Sequence, residues 1–146
     1  MRPIDSVLIA IDSARQALQP VQLQKALFLF GAKVPADVMP QSSRYRFEPY
    51  DYGPFCSEIY ADAETLEQQG LVEILRPPYS RYKEYRVTPQ GHAAADNVRR
   101  QENVALVNYL GELINYTQSL GFNQLVSSVY EEYPDMRVNS VFRDVA

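Results

Sequence analysis

The chain has one cysteine, one histidine, no tryptophan and no surplus of positive charge, and its six glycines are scattered singly. Each scarcity excludes something. Cys56 alone cannot form an internal disulfide, which fits a reducing cytoplasm, and with His92 it supplies too few soft ligands for a zinc site. No glycine opens the spacing of a phosphate-cradling loop or a dinucleotide fingerprint, so no cofactor is expected. The longest apolar run, Ala26 to Phe30, falls far short of the ~20 residues that span a bilayer, and no basic segment followed by an apolar one opens the chain. Neither membrane insertion nor export by a signal is expected. A net charge of −4 argues against whole-molecule attraction to nucleic acid or to an anionic membrane, so such a contact would need a local patch.

What is present is an ordinary globular composition: 146 residues, 46% apolar and 22% charged, enough for one domain with its own core. Residues 5–18 place Val7, Leu8, Ile11 and Leu18 on one helical face, with Asp5 as N-cap. Pro20 opens a second helix, apolar nearly all round and so central, which Gly31 and Pro35 end. After a loop, Tyr45 and Phe47 alternate with Arg44, Arg46 and Glu48 in the period of a half-buried strand. Residues 49–54 read as a turn. Pro54 then opens a helix with Phe55, Cys56, Ile59, Tyr60, Ala63 and Leu66 inward and Gly70 as a left-handed cap.

Leu71 to Leu75 and Lys83 to Val87 read as short strands, joined by the wing Arg76 to Tyr82. Thr88 caps a helix that starts at Pro89 and runs to about Gln101. Helical spacing returns in Val107, Leu110, Leu113 and Ile114, and again from Phe122 to Tyr133, where Pro134 stops it. The final twelve residues carry little pattern. The expected fold is α+β and mostly helical: a single domain over 1–146, with a winged-helix-like core over about 5–101, a small β-wing, and a C-terminal helical extension over about 102–134.

The element that reads DNA in a winged helix, residues 54–69, carries Glu58, Asp62, Glu64 and Glu67 and neither lysine nor arginine. Four carboxylates would be repelled by the phosphate rows that flank a groove. Basic and aromatic residues interleave around the wing instead, in Arg76, Tyr79, Arg81, Tyr82 and Lys83. Such a surface can track phosphates, and equally can anchor a protein interface. Catalytic candidates are weak. Cys56 falls on the inner helix face as a packed thiol; Arg86 and His92 have a spacing loosely like that of HEPN ribonucleases, but Pro89 and Gly91 interrupt it. No catalytic or metal-ligating set is expected.

Several blocks together resemble a bacterial winged-helix-like family related to YwgA, and more distantly the SocA-like Panacea domain of antitoxins. They are Leu23-Gln24-Lys25 running on to Phe30, Pro49 to Phe55 (PYDYGPF), Ile59 to Ile74, Tyr85 to Gly91 (YRVTPQG), and the late block at 130–136 followed by Asn139-Ser140. The resemblance implies a non-catalytic regulatory module that docks on a protein, in antitoxins a toxin. An acidic helix suits a basic toxin or effector, and the wing is the rival docking surface. Tyr50, Tyr52 and Gly53 form the motif turn, either as rigid packing or as a binding element, and Gln24 and Lys25 read as helix surface beside it. The alternative is a DNA-binding regulator that uses the wing and dimerises through the C-terminal helices.

Overall fold

Pro3 occupies the first position of helix α1 (Pro3–Ser13), where a missing N–H is no loss, and the Asp5 carboxylate accepts from the Arg2 backbone N–H at 3.2 Å. Asp5 therefore acts from within the first turn and Arg2, not Asp5, is the N-cap. The helix stops at Ser13 because Ala14 turns extended and sends Leu18 to an antiparallel bridge with Tyr85. The structure, a computed structural model, describes residues 1–141; of the final twelve residues, 142–146 lie outside the described residues.

Helix α2 (Pro20–Lys33) is central as expected, with every residue from 22 to 30 buried. It runs past Gly31 to Lys33, because Val34 N–H still bonds Phe30 C=O and the carbonyl of Gly31 is taken by the Arg44 side chain. Arg44 also donates to the carbonyls of Pro35 and Met39, fastening the loop that follows. Tyr45 and Phe47 are half-buried but join no ladder, and the expected strand forms further on. Strand β1 (Glu48–Tyr50) pairs with β2 (Gly53–Phe55) around Asp51 and Tyr52, with Gly53 at φ +103°. Only glycine adopts that φ readily. The segment expected as a plain turn is thus a hairpin, and Pro54 lies in its second strand facing Pro49.

Helix α3 (Ser57–Gln68) starts after Pro54, Phe55 and Cys56 for a non-local reason. The Gln24 side chain donates to Cys56 C=O and accepts from Cys56 N–H, both at 2.9 Å, and so holds that residue extended. Gly70, at φ +76°, ends α3 as expected. Strands β3 (Val72–Leu75) and β4 (Glu84–Val87) flank the wing in register Val72↔Val87 to Leu75↔Glu84. Thr88 accepts from Gly91 N–H and opens α4 (Pro89–Gln101), with the bounds the sequence indicates. Helices α5 (Val104–Ser119) and α6 (Phe122–Glu132) follow, then a short 3-10 turn (Pro134–Arg137).

The order α1, bridge at Leu18, α2, α3, β3, wing, β4 is a winged-helix-like arrangement within a mostly helical α+β fold, with the β1–β2 hairpin inserted before α3. Helix α5 packs on α1 and α2 and places Leu106, Leu110 and Ile114 in the same apolar cluster as Val7, Leu23 and Ile59. The C-terminal helices complete the core. Among the described residues no helix is long and apolar enough to cross a membrane.

Candidate functional site

Lys25 sits one turn into α2, within its buried run from 22 to 30, and is 4% exposed. Its ammonium donates to the Pro54 carbonyl at 3.2 Å, and no carboxylate lies within ion-pair distance among the described residues. Burial alone lowers its pKa to about 8, so it is still cationic at neutral pH. An ammonium has three N–H donors, and among the described residues one of them is answered. The hairpin comes this close because Gly53 has no side chain: a Cβ there would lie 3.6 Å from the Lys25 ammonium and 3.1 Å from the Tyr130 ring.

Lys25 lines a cleft of about 780 Å³. Its walls are the first turn of α2, the hairpin residues Tyr50 to Gly53, Tyr60 of α3, Tyr82 of the wing, and Leu120 to Phe122 at the start of α6. The rings are organised: Tyr50 stacks on Phe55, Phe55 meets Tyr60 edge-on, and Tyr52 meets Phe122 edge-on at 5.3 Å. Burial raises the pKa of Tyr60, which keeps that wall neutral. The structure therefore brings together the motif turn (Tyr50, Tyr52, Gly53), one wing residue (Tyr82) and Lys25. Gln24 and Lys25 are buried, not the helix surface expected: Gln24 holds the start of α3, and Lys25 forms the cleft floor. A lysine flanked by Leu23, Ala26, Leu27 and Phe28 was the available signal, since a cation amid apolar residues on every helical face has no solvent-facing side to occupy.

The acidic helix is less free than its composition indicates. Asp62 accepts from the Tyr45 hydroxyl, and Glu67 accepts from Ile74 N–H, tying α3 to β3. Glu58 and Glu64 are exposed. Around the wing, Arg76, Arg81 and Lys83 enter no ion pair among the described residues, and Tyr79 and Tyr82 are 90% and 61% exposed. Cys56 is buried, which pushes its thiol pKa up.

A second polar cluster joins α1 to α4. The carboxylate of Asp12, nearly buried, takes Arg99 at 2.6 Å and His92 Nδ1 at 2.8 Å, while Asp96 pairs with both at 2.9 and 3.4 Å. These carboxylates and the imidazole could geometrically hold a cation, but Arg99 already supplies the positive charge. His92 is exposed but not free: the hydrogen bond to Asp12 raises its pKa. Arg86 lies on β4 opposite Glu73 and takes no part. No protein-family model matches the chain, and no curated protein matches it significantly.

Proposed function

We propose that this protein is a non-catalytic regulatory module, antitoxin-like, that docks on a partner protein through the Tyr/Arg wing and the aromatic rim continuing from it into the cleft. One observation carries this reading: the wing's cations are unspent and its rings exposed, and Tyr82 joins them to Tyr50, Tyr52 and Phe122. Tyr and Arg are the residue types that anchor interfaces. Between the two rival surfaces the wing is favoured, because Asp62 and Glu67 of the acidic helix already serve the fold. Glu58 and Glu64 are left to meet a basic region of the partner, be it a toxin or another effector.

The test is site-specific photocrosslinking in the cell of origin, with the crosslinker at Tyr79, Tyr82, Glu58 or, as a distant exposed control, Glu112. A discrete protein adduct from Tyr79 and Tyr82 but not Glu112 supports wing docking. Adducts from Glu58 alone transfer the role to the acidic helix, and none from any position defeats the docking reading. The unspent wing cations also favour a second reading, a DNA-binding regulator that acts as a homodimer of this chain. Duplex anisotropy at about 50 and about 200 mM salt tests it: tight binding that collapses with salt and is lost in Arg81→Ala/Lys83→Ala is required.

A further inference from the structure

Lys25 is a buried cation with no counter-charge among the described residues. Its carbonyl partner at Pro54 is neutral, and among the described residues the cleft it lines contains no other lysine or arginine. Two further features favour negative charge there. The first turns of α2 and α6 both line the cleft, and helix N-termini carry unsatisfied N–H groups and the positive end of the helix dipole. The remaining wall is largely aromatic, through Tyr50, Tyr52, Tyr60 and Phe122. A single cation matches a single negative charge, and Asp51 on the rim disfavours a dianion such as a phosphate monoester. The volume, about 780 Å³, is that of a small-ligand pocket.

We propose that this cleft is a binding pocket for a carboxylate carried on an aromatic body, with Lys25 ion-paired to the carboxylate and the rings of Tyr52, Tyr60 and Phe122 packing the body. The proposal goes beyond partner docking and stands if the wing docks nothing. A carboxylate would supply the counter-charge missing among the described residues and accept the two N–H donors they leave over; a charge-assisted pair of this kind is the strong class of hydrogen bond. Carboxylate on an aromatic body describes both a free aromatic acid and the C-terminal aromatic residue of a peptide.

Amide NMR titration of the full chain with phenylacetate and with N-acetyl-Gly-Phe as its free acid, each against the neutral amide, tests the pocket. The expected result is binding of an acid about tenfold or more tighter than its amide, with the largest shifts at Lys25, Gly53 and Tyr82. In Lys25→Met the acid and amide should bind alike, with the other amide positions unmoved. Phenylacetate binding without the peptide assigns a free acid; tighter peptide binding assigns a C-terminus. Equal affinity of acid and amide in the wild type, an acid preference that survives Lys25→Met, or no binding up to about 20 mM overturns the proposal. Loss of the Tyr79 and Tyr82 crosslinks bears on docking alone.

Discussion

The seam between α1 and α4 and the cleft beneath the hairpin handle the same problem in opposite ways. At the seam, Asp12 is nearly buried and both its oxygens are answered, one by His92 and one by Arg99. Where α4 meets the residue before β3 the backbone is equally committed, since Gly91 lies so close to Leu71 that a Cβ would sit 1.8 Å from its carbonyl oxygen. In the cleft, Lys25 is just as buried, yet its charge is unanswered among the described residues and the space beside it is open. Closed packing with paired charge holds a fold together. Open space with unpaired charge destabilises it, which is the condition a bound ligand relieves.

Four substitutions sharpen this contrast. Gly91→Ala has the largest expected effect: the added methyl cannot coexist with the Leu71 carbonyl, so α4 must part from β3 at a loss of about 4 kcal/mol or more, read by urea unfolding. Gln24→Leu should lose about 3 kcal/mol in the same assay, because it leaves the buried N–H and C=O of Cys56 both unpaired. Unchanged stability in either would show that these contacts are not made as described.

Lys25→Met has the opposite sign. The lysine pKa falls from 10.5 to about 8 on folding, a charge penalty of about 3 kcal/mol at neutral pH. Loss of the bond to Pro54 offsets part of it, so the variant should be about 2 kcal/mol more stable at pH 7. Because the lysine's pKa is lowered by folding, wild-type stability rises between about pH 8 and 10.5, and the advantage of the variant shrinks over that window. A variant less stable than wild type at pH 7 would mean the ammonium is neutralised by the fold itself.

His92 is the smallest case and has the reverse sign. Its folded pKa is raised, so its contribution is fully present below the unfolded value near 6.5 and is lost as pH rises through the folded value. Melting temperatures from pH 5.5 to 7.5, below the window in which Lys25 acts, should fall slightly in the wild type, and the slope should flatten in His92→Gln.

Several helix ends were legible in the sequence, while the ion pairs of the seam and most of the cleft were not. Thr88-Pro89 marked the start of α4 and Gly70 the end of α3 because capping and left-handed turns are local chemistry. The start of α3 was misread because Pro54 is a good first residue of a helix, while the group that prevents it, Gln24, is 32 residues away. The hairpin was hidden by prolines at 49 and 54, which look like turn punctuation until they are seen facing each other across the ladder. Tyr50, Tyr52 and Gly53 were marked as a motif turn, but that they enclose a lysine depends on α2, the wing and α6 meeting there. Asp62 and Glu67 looked solvated for the same reason: Tyr45 and Ile74 N–H reach them only in three dimensions.

The segment after α6 is small but has a consequence for anyone handling this protein. The Asn139 side-chain amide donates to Pro49 C=O, the Ser140 hydroxyl and the Val141 N–H both donate to Asp51 C=O, and the Tyr130 hydroxyl donates to Ser140 Oγ at 2.5 Å. Residues 139–141 thus buckle the tip of the hairpin to α6, at the wall that Gly53 and Tyr52 give to the cleft. A protease cut or an ill-placed fusion at residue 138 would unfasten that buckle and leave the hydrophobic core whole, so a trimmed preparation would melt normally while holding the pocket's rim in the wrong place.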